Sequence, residues 1–282
     1  MKIRNPAQAG MFYSGSASSL VREIEDCFKH KLGPARLPER RQEPLTHLVA
    51  LVCPHAGYIY SGPVAATAYL ELARYGKPST VVIIGPNHTG MGSGVSLMNE
   101  GTWTTPLGRV EIDSTLANAI LDNAPIIDID DKAHTYEHSI EVQLPFLQYL
   151  YEDGFNLVPI CMMIQDLETG REIGEAIAKV TNDSSCLVVA SSDMTHYEPH
   201  DIASEKDMLA IRAIERMDDK ELDKVVQSNS ISICGIGPII SAMTFSKKRG
   251  VTKGHLLSYR TSGEVSGDYS SVVGYAAIAF VA

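Results

Sequence analysis

Residues 81–88 read VVIIGPNH. The first four side chains are apolar and β-branched, and the run is too short for a helix. It predicts a strand buried on both faces. Gly85 and Pro86 break the run, and Asn87 and His88 follow at a rigid strand end. The pattern recurs twice. LVALVCPH, residues 48–55, carries His55 off a strand end, and CLVVASSDMTH, residues 186–196, carries Asp193 and His196. In open α/β sheets, ligands bind at the carboxyl ends of the strands. Three buried strands that each release metal-capable side chains there point to an enzyme or metal-binding fold rather than a scaffold.

Helical patterns alternate with these strands. Leu20, Ile24, Cys27 and Phe28 share one face at helical spacing, with Ser18 or Ser19 as the predicted cap. After His55, Ser61 is the predicted cap of a second helix, with Pro63 in its first turn and Gly76 just past its end. TWTTPLGRVEID, residues 102–113, reads as an extended excursion before a helix that begins near Asp113 or Ser114. Ile140, Leu144, Leu147 and Tyr151 predict another, in which Pro145 either makes a kink or marks the first turn of a shorter helix. Asp166 is a predicted cap, further helices fall at roughly 201–228 and 237–250, and residues 255–263 and 270–281 are closing strands. The order predicts a three-layer α/β/α fold with a largely parallel or mixed central sheet, as one domain over residues 1–282.

The formal net charge is −10 with both signs interspersed, which argues against a nucleic-acid surface. Five Cys residues stand singly, without CxxC pairs, as expected of reduced thiols in a cytoplasmic protein. MKIRNPAQAG lacks the apolar core of a signal peptide, and the apolar tail VVGYAAIAFVA is shorter than the ~20 residues of a membrane helix. Residues 33–46, with three prolines among charges, read as a surface loop.

A lone His at a strand end is usually structural, but His55 and His88 occupy matching ends of strands that, if adjacent, present two imidazoles to one metal. Asp193 and His196 share the short loop SSDMTHY. Either the carboxylate orients the imidazole for proton transfer, or Asp193 caps a helix near Met194. Cys234 precedes Gly235, Gly237 and Pro238, and a thiol ahead of a helix start has a lowered pKa. The other four Cys read as small buried hydrophobes. HTYEH, residues 134–138, matches the H-x-x-E-H pattern of zinc hydrolases, which needs a helix through both His. The apolar periodicity begins only near Glu137. TGMGSG, residues 89–94, lacks the lysine of a phosphate-binding loop and reads as a turn. Tyr58, Tyr60 and Trp103 are either pocket-lining or core aromatics.

PHAGYIYSG, GPNH, EHSIEVQLPF, SSDMTHY, ICG and VVGYAA, in this order, resemble the Memo family, from AGMFYS to the last strand. That resemblance implies a domain similar to class III extradiol dioxygenases, with a pocket built from His55, His88, His138, Asp193, His196 and Cys234. Those dioxygenases hold iron by two His and a carboxylate, with a further His as base. His55 and His88 match the two His, Cys234 stands in the carboxylate's place, and His196 looks like the base. Animal Memo proteins are linked to iron or copper handling and to phosphopeptide binding, and prokaryotic members often occur beside radical-SAM proteins. The expectation is therefore a cytoplasmic non-haem-iron-type redox enzyme. In it His55, His88 and Cys234 hold Fe2+, or else copper or zinc. His196, Asp193 and His138 carry the chemistry, and Tyr58 and Asn87 contact a small-molecule or peptide ligand. A radical-SAM protein is an expected partner, with no nucleic acid or membrane. The alternatives are a non-catalytic binding module and a zinc hydrolase of the HTYEH type.

Overall fold

The computed structural model describes residues 2–181 and 185–282. In chain order the first half comprises β1 (Ile3–Arg4), α1 (Ala17–Lys29), β2 (Leu48–Cys53), α2 (Tyr58–Tyr75), β3 (Thr80–Pro86), β4 (Val95–Leu97), β5 (Thr102–Thr105), β6 (Gly108–Glu111), α3 (Ser114–Leu121), β7 (Asp128–Ile129) and α4 (Leu144–Tyr151). The second half comprises β8 (Asn156–Met162), α5 (Leu167–Val180), β9 (Cys186–Ser191), β10 (His196–Glu198), α6 (His200–Glu215), α7 (Asp219–Ser228), α8 (Ile236–Lys248), β11 (Gly254–Thr261), α9 (Gly263–Ser266) and β12 (Val272–Val281).

The main sheet runs β10-β12-β2-β9-β3-β8-β4-β7, with β11 also paired to β12. Its middle, β2-β9-β3-β8, is parallel, and β12 and β4 join antiparallel on either side. The four middle strands are buried almost throughout, as their continuous apolar runs require. Helices α1, α2 and α4 pack as one group, and α3, α5, α7 and α8 as another, about this sheet. The expected α/β/α layering is what the chain forms. Residues 102–111 form β5 and β6, which with β1 make a separate three-stranded sheet. Among the described residues no helix is long and apolar enough to cross a membrane.

The strand order left open by the sequence is now set. β2 and β3 are not neighbours: β9 lies between them, with Cys53 opposite Ser191 and Ile84 opposite Ala190. His55 and His88 therefore flank the end of β9, and three adjacent strands deliver side chains to one edge. Two helix starts also differ. The N-cap of α1 is Ser16, not Ser18 or Ser19. α2 begins at Tyr58, so Ser61 and Pro63 lie inside it, and the Ser61 hydroxyl donates to the Ala56 carbonyl at 2.8 Å. Burial of Tyr58, at 3% exposure, draws the helix start earlier than the cap signal. Elsewhere local chemistry decides. Asp113 and Asp166 cap α3 and α5 by accepting from Leu116 N and Thr169 N, and Pro145 opens the short helix α4.

Candidate metal centre

His55, His88 and His138 converge at the carboxyl edge of the sheet. One ring nitrogen from each lies within 4.8 Å of the others, and ring centroids are 4.5–5.2 Å apart. His55 is buried, His138 is half-buried, and His88 opens the group to solvent. Burial and the neighbouring imidazoles hold His55 well below the ordinary imidazole range, and burial lowers His138 to about 4. Neutral imidazoles with bare nitrogens are metal ligands.

Glu137 sets the orientation of two of them. Its Oε1 accepts from His88 Nδ1 at 2.9 Å and from the His138 and Ser139 backbone N–H groups at 2.9 Å each. Its Oε2 accepts from the His88 backbone, and the His138 Nδ1 stands 3.3 Å from Oε1. A carboxylate only accepts, so Nδ1 of His88 carries a proton, and the tautomer this bond selects in the neutral ring has Nε2 bare. Burial alone would raise this carboxyl, but these partners outweigh it and hold Glu137 at about 2. A carboxylate behind a ligating imidazole is the usual way to fix its tautomer and raise its basicity.

The segment that carries Glu137 and His138 is itself held by a buried charge pair. Arg4 Nη1 meets Glu141 Oε2, while Arg4 also donates to the His134 carbonyl at 3.0 Å and the Glu137 carbonyl at 2.8 Å. Glu141 further accepts from Ala7 N and Gln8 N at 2.9 Å and from the Tyr13 hydroxyl at 2.6 Å. The N-terminal strap so anchored lays Phe12 on His138, ring centroids 4.5 Å apart. Ser139 packs on Gly85 and donates to the Pro86 carbonyl at 2.8 Å, which seats the segment over the end of β3.

A sequence model of the Memo-like protein family matches residues 4–279. The chain belongs to the Memo family. A MEMO1 family protein of Methanopyrus kandleri is 52% identical over 279 residues, 98% of each chain, and one of Sulfurisphaera tokodaii is 48% identical over 282 residues, 99% of each. The fold of the Memo chain is also similar to that of an uncharacterised protein of Escherichia coli K12, with a TM-score of 0.57 at 14% identity over 82% of this chain and 99% of that one.

Cys234 of the Memo chain lies beside His55, its Sγ 3.2 Å from Nε2 and accepting from Asp193 N at 3.2 Å, but it is not part of the close group that His55, His88 and His138 form. The expected lowering of its pKa is reversed: burial, with the Asp193 carboxyl nearby, pushes the thiol up. The helix end is too weak a field to offset desolvation. Gly235 is needed for close approach rather than for a sharp turn, since a Cβ there would meet the Ser191 carbonyl oxygen at 2.6 Å. Asp193 follows neither expected role. No helix begins at Met194, and its Oδ1 accepts the His55 backbone N–H at 2.8 Å. Burial pushes this carboxyl up to about 6. His196 is oriented instead by Ser232, whose carbonyl accepts from Nδ1 at 2.9 Å, which in the neutral ring selects the tautomer with Nε2 bare.

Tyr58 and Asn87, expected to contact substrate, spend their polar atoms on the protein. The Tyr58 hydroxyl donates to the Val142 carbonyl at 2.7 Å. Asn87 Oδ1 accepts from Thr89 N and Gly90 N at 3.0 Å each, and shapes the glycine-rich turn. His134 does not join the centre. It is buried against Trp103 after a single 3-10 turn, so no helix brings it beside His138. Glu137, with both oxygens occupied, is an orienting carboxylate and not the free base that the H-x-x-E-H reading requires. The sequence reading missed that role, along with Arg4 and Glu141; the signal was three acidic or imidazole groups interleaved with apolar residues in EHSIEVQLPF.

Breaking a buried pair strands the other charge and typically costs ~3–5 kcal/mol. Glu141→Ala is expected to lower unfolding free energy by about that much, measured by urea denaturation. A loss below about 1 kcal/mol, in the range of an exposed pair, would deny the pair its anchoring role.

Proposed function

We propose that this Memo-family protein is a metal-dependent redox enzyme of the non-haem-iron type, acting on an organic substrate in the cytoplasm. The observation that carries the reading is the convergence of three imidazoles, one oriented by a buried carboxylate and another 3.2 Å from the Cys234 sulfur. The set fits a transition metal. His55, His88 and His138 would hold it, and Cys234 would add the thiolate that balances its charge. Imidazole and thiolate donors suit Fe(II), Cu(I) or Zn(II) better than Mg or Ca. Iron is the choice that the resemblance to extradiol dioxygenases implies. The chemistry that a bound iron supplies is one-electron and dioxygen chemistry, which side chains lack.

The chain's own residues supply proton handling and shape. His196, with Nδ1 committed to Ser232, can accept a substrate proton at Nε2. Asp193 fixes the turn that presents His55. Met11, Tyr136 and Tyr197 are exposed and stand within two residues of Phe12, His138 and His196 in the sequence. Such exposed side chains suit a second reading, in which the chain binds a small molecule or peptide without turnover. A radical-SAM protein is a proposed partner in either case, and the net charge of −10 speaks against nucleic acid.

Three measurements test this. In anaerobically purified protein, elemental analysis should find metal in the wild type and in folded His134→Ala, and little in His55→Ala or His88→Ala. A wild type that retains no offered iron, copper or zinc would end the metal reading. Cobalt-substituted protein should show a thiolate-to-cobalt charge-transfer band in the near ultraviolet that Cys234→Ala lacks; a band that survives the substitution removes Cys234 from the donor set. His196→Ala should keep its metal yet slow oxygen uptake with a turned-over substrate by on the order of a hundredfold. Unchanged uptake would exclude His196 as the base.

A further inference from the structure

Behind His55 lies a run of buried hydrogen bonds whose direction is fixed by two carbonyl oxygens. Gln143 Nε2 is 3.0 Å from the Pro54 carbonyl and 2.8 Å from Ser191 Oγ, and Gln143 Oε1 is 2.8 Å from the Tyr69 hydroxyl. Ser191 Oγ is also 2.5 Å from the Ser139 carbonyl and 3.0 Å from His55 Nδ1. Tyr69, Ser139, Gln143, Ser191 and His55 are each 0–1% exposed, so bulk water offers them no alternative partner.

Carbonyl oxygens only accept. The amide atom of Gln143 that faces Pro54 must therefore be the NH2 group, because an oxygen there would oppose another oxygen. That leaves Oε1 toward Tyr69, whose hydroxyl donates. Ser191 has one hydroxyl proton, and the Ser139 carbonyl takes it. Ser191 Oγ then accepts from Gln143, and its remaining lone pair faces His55 Nδ1. Only a proton on Nδ1 completes the set. A proton on Nε2 would leave two lone pairs facing each other across 3.0 Å, buried. The Cys234 thiol, 3.2 Å from Nε2, is placed to donate to that bare nitrogen.

We propose that Tyr69, Gln143 and Ser191 are positioning residues that fix His55 as the Nδ1–H tautomer and so keep Nε2 ready for a ligand. The proposal rests on the reading of His55 as a metal ligand for its purpose, but not for its test. Outer partners of ligating imidazoles typically contribute 10–100-fold to metal affinity.

The test uses the full chain in two arms. In metal-free protein at neutral pH, long-range proton–nitrogen correlation spectra of the imidazoles report which nitrogen carries the proton. Wild-type His55 should be Nδ1-protonated, and Ser191→Ala should raise its Nε2–H population. In the second arm, Co(II) is the probe. Ser191→Ala should weaken its binding about 10–100-fold, and Tyr69→Phe by less, since the Pro54 carbonyl still holds the Gln143 amide. Tyr69→Phe, which removes one hydroxyl atom, also serves if Ser191→Ala folds poorly. A wild-type His55 found as Nε2–H overturns the proposal, as does a tautomer unmoved by Ser191→Ala. If the tautomer shifts as expected but no variant, wild type included, binds Co(II), the positioning stands and the metal reading fails.

Discussion

Arg4 and Glu141 are a guanidinium and a carboxylate shut away from water, and the rest of the centre depends on how completely they are satisfied. Desolvating both ions is costly, and their attraction offsets the cost only when every remaining donor and acceptor finds a partner. Here they do: Glu141 takes four donors, and Arg4 adds two carbonyls of residues 134 and 137. The pair thereby joins the N-terminal strap to an irregular segment that has little regular structure to hold it. Arg4 also lies over the Trp103 ring, 4.5 Å from its centroid, which ties the small sheet to the same point.

A second consequence is electrostatic. Glu137 brings one negative charge to the back of His88 and His138 without offering an oxygen to the centre, because both oxygens are already taken. The candidate centre is thus a group of imidazole nitrogens, with the carboxylates held one layer behind. Asp193 repeats the arrangement at His55, where it binds the backbone rather than the ring. A site of this kind differs from one that presents a carboxylate oxygen in being softer.

Much of this was legible in the residues. Buried apolar runs at 48–53, 81–84 and 186–190 announced the parallel strands, and the polar groups after them announced the edge where His55 and His88 meet. Strand order was not legible, because nothing in a single strand encodes which neighbour it takes; the insertion of β9 between β2 and β3 is a tertiary fact. Cys234 was placed correctly at a helix start, yet its acidity was misjudged, since burial is a property of the whole fold and the helix end a local one. Glu137 was drawn toward a catalytic role by a five-residue pattern that presumes a helix. Residues 135–140 form no such helix, being shaped by Arg4 and Gly85, which are distant in sequence.

The position of β9 also bears on the order of events when the chain is made. His55 and Cys234 touch across 179 residues of sequence, and the strand that separates His55 from His88 is synthesised about a hundred residues after them. A nascent chain that has released only its first half contains three of the imidazoles but no β9 to space two of them and no α8 to bring the sulfur. Contacts of such separation close late, after the loop entropy between them has been overcome. The ribosome-bound fragment therefore lacks the strand that spaces these imidazoles, and the candidate centre takes shape only in the full chain.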